Sequence, residues 1–233
     1  MKKTWMMLAA CLLALPLGAA AASRTYDTRD FSSISVATGI TVDVTLGARH
    51  HVVAETDGSD FDSLRIRVEG DVLHIDRPPG IWLRWFGRRP DYRVRVEAPA
   101  LRRLSASSGS AVTVQGGSPG DDFEVDSSSG SRMDIHITRG RAVRARGSSG
   151  SHLHISGNCS AVRITASSGS RVDAEDLRCK EAEVQASSGS SVTLAATDRV
   201  AGSASSGSNV KVRGAPAVVE VKQSTGADVV IRN

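Results

Sequence analysis

Residues 148–170 read SSGSHLHISGNCSAVRITASSGS, and this segment is one full period of a repeat that occupies the second half of the chain. A glycine beside serine returns every 18–21 residues, six times within SSGS and finally within Ser-Thr-Gly-Ala. These turn glycines are Gly109, Gly130, Gly150, Gly169, Gly189, Gly207 and Gly226. Flexible Gly/Ser linkers have no such spacing, whereas a period of about 20 residues is typical of solenoid proteins.

Within each period, the residues on both sides of the glycine alternate between apolar and polar. After Gly150, for example, Leu153 and Ile155 are apolar, and the two residues between and before them are histidines. Strict alternation indicates β-strands rather than helices. Strands of successive repeats can stack about 4.8 Å apart. We therefore predict an all-β parallel β-helix in which two strands meet at each SSGS turn, small serines stack in polar ladders, and a third segment returns to the next coil.

The overall composition agrees with a folded chain. Of the 233 residues, 40% are hydrophobic, and the formal net charge is only +4, which excludes an intrinsically disordered protein. Collagen is excluded because the chain has 7 Pro and no Gly-X-Y period. Aromatic residues make up only 4%, which indicates a thin core of stacked, small aliphatic side chains.

The first 22 residues have the features of a secretory signal peptide. Two lysines precede an apolar run from Trp5 to Leu17, and small residues follow as far as Ala22. We expect residues 1–22 to be removed, which leaves no transmembrane segment and places the protein in the periplasm or at the cell surface or outer envelope of a bacterium. Basic residues then number 27 against 25 acidic ones, so we expect a mixed-charge surface that does not bind nucleic acid.

Two cysteines remain in the processed chain, and they occupy the same position of adjacent repeats. Cys159 lies ten residues before Gly169, and Cys179 lies ten residues before Gly189. Stacked coils would bring their Cα atoms to about 5 Å, which is within disulfide range. Because an exported protein meets an oxidising compartment, we predict a Cys159–Cys179 disulfide.

Residues 23–233 are predicted to form a single domain with two regions. Residues 101–233 hold the seven repeats. Residues 23–100 also alternate in the manner of β-strands, with a hairpin turn at Glu69-Gly70-Asp71, but they lack the repeat. We expect this N-terminal region to form a bulkier β layer that starts and caps the solenoid.

One segment of the N-terminal region, residues 79–90, concentrates aromatic and basic side chains. The candidate partner-contact residues are Trp82, Arg84, Trp85, Phe86, Arg88 and Arg89. Two interpretations are open: an exposed loop that touches lipid headgroups, a glycan or a protein partner, or a loop folded over the open end of the core.

The combined motifs resemble those of the auto-transporter adhesin family with a head GIN domain. The resemblance covers roughly residues 31–215, and the serial SSGS turns are its most specific part. It also rests on a Val-Leu-x-Ile strand at 72–75 and on the opening motif Phe31-x-x-Ile34-x-Val36-x-x-Gly39-Ile40-x-Val42-x-Val44. The resemblance implies a right-handed β-helix similar to pectin-lyase-like folds without their catalytic residues, and a role in cell adhesion or surface interaction.

The residues themselves contain no evident catalytic constellation, and we predict no catalytic, cofactor-binding or metal-binding residues. Outward carboxylates alternate with bases, so that Glu124 faces Arg144 and Arg163 faces Glu183 in adjacent coils. The nearest approach to a metal site is a set of three histidines, with Asp134 one coil below the last of them. These histidines are His136, His152 and His154. A closed set of ligands is absent from this sequence pattern, so we interpret them as surface residues.

Taken together, these features predict a non-catalytic exported protein that binds an unidentified surface, glycan or envelope ligand in adhesion. Two alternatives stay open. A carbohydrate-active enzyme on the same scaffold would require a groove lined by paired carboxylates. A self-assembling envelope scaffold would use the exposed strand edge near Val229–Ile231 for self-association.

Overall fold

The computed structural model describes residues 22–58, 60–78, 90–224 and 226–232. Within these ranges all regular elements are strands. They are β1 (Ala22–Tyr26), β2 (Ser33–Val36), β3 (Thr41–Leu46), β4 (His51–Thr56), β5 (Arg65–Glu69), β6 (Val72–Asp76), β7 (Tyr92–Ala98), β8 (Arg103–Ala106), β9 (Ala111–Gln115), β10 (Gly120–Ser127), β11 (Arg132–Gly147), β12 (His152–Ala166), β13 (Arg171–Ala186), β14 (Ser191–Ala204), β15 (Asn209–Arg213), β16 (Val218–Gln223) and β17 (Asp228–Arg232).

The strands stack in parallel into a β-solenoid with two faces, as predicted. The strands that precede each Ser-Gly turn form the leading sheet, in the order β6-β2-β8-β10-β11-β12-β13-β14-β16. The strands that follow each turn form the trailing sheet, in the order β7-β3-β9-β11-β12-β13-β14-β15-β17. The right-handed sense of the coil, which the family resemblance implies, stays a prediction.

The return path between coils differs from the predicted third segment. Each of β11 to β14 is one strand of 14–16 residues that leaves the trailing sheet and enters the leading sheet of the next coil. The passage is marked by irregular register, for example between Ile137 and Gly140. Gly157 allows the coils to approach there, since a Cβ on it would lie 1.7 Å from the Ile137 oxygen. Gly202, which is paired with Val184 inside the leading sheet, allows a similar approach, since its Cβ would lie 1.8 Å from the Val184 oxygen. The return path is therefore a bend within a strand.

The SSGS segments form tight turns whose two central residues both have positive φ. At Ser149-Gly150 the φ values are 52° and 68°, and the turn closes with a hydrogen bond from Ser151 N to Ser148 O of 3.1 Å. Such a conformation strains a serine, because only glycine adopts positive φ without steric cost. The turns compensate by stacking: Gly150 N donates to Ser168 O of the next coil at 3.0 Å.

The last serine of each SSGS turn is buried and connects neighbouring coils. Ser151, which is 1% exposed, donates from Oγ to Ser127 O at 2.8 Å and accepts from Ser148 N at 3.2 Å. The same arrangement recurs at Ser131, Ser170, Ser190 and Ser208. A short hydroxyl thus satisfies backbone groups that the turn would otherwise leave buried.

The core between the two sheets consists of stacked aliphatic side chains. The inward column Ile135, Ile155, Leu194 and Val212 is 0% exposed throughout. Phe123 is the only aromatic residue in the repeat array, and it is fully buried as well. The small inward residues explain why two sheets can lie on each other with so few aromatic groups.

The N-terminal region joins the solenoid more closely than predicted. Strands β2 and β3 lie between the coil formed by β6 and β7 and the coil formed by β8 and β9, all in parallel. The expected division near residue 100 therefore does not appear as a break in either sheet. The capping part is confined to antiparallel strands: β5 covers β6, while β4 covers β7 and β1 covers β4. The second coil of the stack, β2 and β3, therefore precedes the first coil, β6 and β7, in the sequence.

Several expectations fall on residues outside the described ranges. These are the signal peptide up to residue 21 and the six partner-contact residues Trp82, Arg84, Trp85, Phe86, Arg88 and Arg89. In the described part of the chain, no helix has the length and apolar character needed to cross a membrane.

Candidate functional site

A concavity lined by alanines and charged residues lies on the outer face of the leading sheet. It has a volume of about 510 Å³ and extends over β11 to β14. Its floor includes Ala142, Ala161 and Ala201, which are half-buried small residues at outward positions of the sheet. Because these side chains are short, a ligand could approach the strands between the longer charged residues around them. We refer to this feature as the alanine concavity.

Charged side chains surround the alanine concavity in columns set by the strand register. Arg144, Arg163 and Glu183 stand opposite one another in successive coils. Arg163 Nη2 lies 2.5 Å from Glu183 Oε2, so that pair forms as predicted. Arg144 is exposed and has no ion-pair partner among the described residues, which leaves one guanidinium available at the rim. An arginine in this state can bind a carboxylate or phosphate through two parallel hydrogen bonds.

The partner predicted for Arg144 is engaged elsewhere. Glu124 is its register partner in the adjacent coil, but Glu124 bonds to Arg103 and Arg146 instead. These hydrogen bonds, the one from Arg103 above all, hold the pKa of the Glu124 carboxyl below its usual range. Strand register alone therefore did not identify the partner of Glu124, because Arg146, two residues after Arg144 on the same strand, reaches the Glu124 carboxylate instead.

Two carboxylates also face the alanine concavity, and they bear on the enzyme alternative. Glu181 and Glu183 are two residues apart on β13, so their side chains leave the same face of the strand. Glu183 is neutralised by Arg163, and Glu181 is exposed. A general acid needs an environment that raises its pKa, such as burial in an apolar site. Neither glutamate is buried in the described structure.

The predicted disulfide is present and lies beside the alanine concavity. Cys159 and Cys179 are register partners with Cα atoms 4.6 Å apart. Two residues in the lining of the concavity, Ala161 and Glu181, each lie two positions after one of these cysteines. The disulfide thus fixes the two middle coils of the concavity relative to each other.

The histidines lie on the outer face of the trailing sheet, away from the alanine concavity. His154 stands between Asp134 and Asp173 in its column, as predicted. His152 stands between two arginines of the neighbouring coils, and burial, together with these charges, lowers its pKa. The described residues contain no group of three His, Cys, Asp or Glu side chains that could hold a metal ion.

A second concavity, of about 460 Å³, lies at the base of the aromatic and basic segment. Its lining includes Tyr92 and Asp91, which follow that segment directly. On the other side of the segment, Arg77 donates from Nη2 to Pro90 O at 2.9 Å and from Nε to Thr38 O at 3.1 Å. Thr38 and Gly39 occupy the turn position of the next coil, with φ of 65° and 70°. Arg77 and Pro90, the described residues that flank the segment, therefore lie beside the turn position of the neighbouring coil.

Sequence reasoning identified the disulfide and the Arg163–Glu183 pair but missed the alanine concavity. The available signal was alanine at outward positions, eight residues before the turn glycine at Ala142 and Ala161 and six before it at Ala201, in repeats whose other outward residues are long and charged. This signal is weak, because an outward alanine also occurs wherever a strand is simply exposed to water.

Solved structures show the same fold. A putative adhesin from Bacteroides fragilis is 14% identical and has a TM-score of 0.79, with 92% of this chain and 98% of that chain covered. A putative lipid binding protein from Parabacteroides distasonis is 14% identical with a TM-score of 0.67, covering 90% and 96%. A putative adhesin from Parabacteroides merdae is 12% identical with a TM-score of 0.65, covering 91% and 96%.

Comparison with models of protein families assigns the chain to a family. No curated protein sequence matches the chain. A family model described as "Putative auto-transporter adhesin, head GIN domain" matches residues 30–216. Since this match spans most of the chain, the protein belongs to the head GIN domain family that this model describes.

Proposed function

We propose that the protein is an exported, non-catalytic binding module that attaches to an acidic ligand of the cell envelope through the alanine concavity. The observation that carries this proposal is the exposed guanidinium of Arg144 beside a floor of alanines. The family and the neighbouring structures support an adhesin-like role in general terms. The ligand class is inferred from the charge and shape of the concavity.

The geometry favours a ligand that lies along the sheet. Ala142 and Ala161 are register partners in adjacent coils, about 4.8 Å apart, and Ala201 lies two coils further on in the neighbouring column, opposite Glu183. A chain of sugar rings or a row of phosphates could follow them while its acidic groups meet Arg144. Glu181 borders the same concavity and would accept hydrogen bonds from ligand hydroxyl groups. This combination suits an acidic glycan better than a purely apolar ligand.

Binding of residues 23–233 to an acidic glycan, to peptidoglycan and to anionic or zwitterionic vesicles would test the proposal. We expect Arg144→Ala to weaken binding of the acidic glycan by about tenfold, because one charge-assisted hydrogen-bond pair is lost. The matched control is Arg132→Ala, which removes an exposed arginine from the opposite sheet. Equal binding by both variants and the native protein would contradict the proposal.

The aromatic and basic segment provides a second contact in this proposal. A double variant, Trp82→Ala with Trp85→Ala, separates its contribution from that of the concavity. If vesicle binding falls in this variant while glycan binding is retained, the segment contacts lipid headgroups. If glycan binding falls in this variant and is unchanged in Arg144→Ala, the ligand site lies at the segment and the alanine concavity is not used.

The enzyme alternative has its own observation, the presence of Glu181 and Glu183 in one concavity. It predicts that acidic glycans are shortened by the protein and that Glu181→Gln abolishes this activity. The binding proposal predicts instead that the glycan is recovered intact after incubation. Release of new reducing ends that depends on Glu181 would establish the enzyme.

A further inference from the structure

The last coil of the solenoid exposes core positions that are buried in every coil before it. Ile231 continues the column of Val212, yet it is 50% exposed where Val212 is 0% exposed. Val219, Val221 and Val229 are likewise only partly buried. At the opposite end β5 pairs along β6, while β4 and β1 continue the sheet from β7, and the inward residues of β6 and β7 are buried, with Leu73 and Val94 both 0% exposed. The two ends of the described solenoid are therefore different, and the C-terminal one has an open core.

The same end has two unpaired strand edges in the described structure. β16 pairs only with β14, and β17 pairs only with β15. Backbone N–H and C=O groups on an unpaired edge are a template for another strand. An occupant that paired with both edges would at once satisfy these groups and cover the apolar residues between them.

When β16 or β17 pairs with an antiparallel copy of itself, its outward acidic residue lies opposite the outward basic residue of the copy. If Val221 lies opposite its own copy in an antiparallel pair, Glu220 lies opposite Lys222 of the copy. In β17, Val230 opposite its own copy places Asp228 opposite Arg232. Cross-strand pairs of opposite charge stabilise antiparallel strands, and like charges destabilise them.

One two-fold axis can generate both of these pairings. Val221 lies three residues before the turn at 224–227, and Val230 lies three residues after it. The two residues are thus at equal distances from the turn, one in each sheet. An axis that passes through both reverses β16 onto β16 and β17 onto β17 of a second copy. Such a two-fold contact is self-complementary and closes after two subunits.

We propose that the occupant of the open end is a second copy of this chain, joined through antiparallel β16–β16 and β17–β17 pairs around Val221 and Val230. The dimer continues both sheets across the interface and buries the apolar end of the core. Because the apolar core is already buried at the other end, assembly stops at the dimer.

Sedimentation of the disulfide-closed protein, residues 23–233, tests the assembly. We expect a dimer whose dissociation constant rises about tenfold in Lys222→Glu, because two symmetric attractions become repulsions. Adding Glu220→Lys to that variant restores the opposite charges and the dimer. Lys211→Glu, an equal charge change in the preceding coil, is the control and leaves the dimer intact. A native protein that stays monomeric at about 100 µM, or that forms larger species, overturns the proposal.

Cysteine cross-linking tests the geometry independently of the charges. Val230→Cys places two thiols opposite each other, with Cα atoms about 4.5–5.5 Å apart, so we expect rapid formation of a covalent dimer. In Val218→Cys the two thiols are offset by six residues, about 20 Å along the strands, and no covalent dimer forms. Cross-linking of Val218→Cys, or none by Val230→Cys, overturns the assigned pairing.

Discussion

Two glycines of the same coil, Gly150 and Gly157, are expected to respond very differently to a single methyl group. Both have positive φ, 68° and 121°. A Cβ on Gly150 would meet nothing within 4 Å, whereas one on Gly157 would lie 1.7 Å from Ile137 O. Alanine at Gly150 therefore adds only backbone strain, about 1 kcal/mol. Alanine at Gly157 must move two coils apart by more than 1 Å and is expected to cost at least about 3 kcal/mol.

Urea unfolding of both variants with the disulfide closed measures this difference. For an m-value of about 2 kcal/mol/M, the midpoint should fall by about 0.5 M for Gly150→Ala and by at least about 1.5 M for Gly157→Ala. Both substitutions are Gly→Ala at positive φ, and Gly157→Ala adds to the close approach of the backbone the greater strain of a φ of 121°. Midpoints of the two variants within about 0.3 M of each other would refute the proposed contact between coils.

Three further outcomes follow from the stacked coils. The Cys159–Cys179 disulfide closes a loop with a sequence separation of 20. Its reduction should lower the free energy of unfolding by about 3 kcal/mol, as measured by urea unfolding with and without reductant. An unchanged midpoint would contradict a stabilising role of the disulfide. Ser149 has a φ of 52°, which asparagine tolerates and a β-branched residue does not. Ser149→Asn should therefore stabilise the fold by about 0.5 kcal/mol, and Ser149→Val should destabilise it by about 2 kcal/mol. Equal melting temperatures of the two variants would contradict a left-handed turn. Because its arginine partners lower the pKa of Glu124, its contribution is present above the ordinary carboxyl pKa and is lost as pH falls through the lowered one. Replacement by glutamine should thus destabilise by up to about 1 kcal/mol at pH 7, and this difference should shrink as the pH falls below the ordinary carboxyl pKa. A difference that does not change with pH would contradict the ion pairs.

Much of the repeat region could be predicted because its information is local. The alternation around Gly150 indicates two strands and a turn directly, since side chains on a strand point alternately to its two faces. The fixed position of Cys159 and Cys179 within the period then implies their contact. These inferences need only the period and the spacing of stacked strands.

The remaining features depend on contacts between segments far apart in the sequence. Nothing in the alternation of β2 and β3 reveals that they lie between β6 and β8 and between β7 and β9. Gly202 occupies a leading-sheet position that is apolar in other repeats, and its close approach to Val184 O is visible only in three dimensions. The alanine concavity likewise results from the alignment of outward residues in successive coils.

Hydrogen exchange at the turn glycines tests the stacking of coils most directly. In an isolated exposed turn the amide of Gly150 would exchange rapidly, but here it donates to Ser168 O at 3.0 Å. We predict slow exchange at Gly150 and at the equivalent Gly130, Gly169 and Gly189, each of which donates to the next turn. Gly70, in the hairpin turn between β5 and β6, is the comparison and should exchange rapidly. Exchange at the four repeat glycines as fast as at Gly70 would contradict the stacked solenoid.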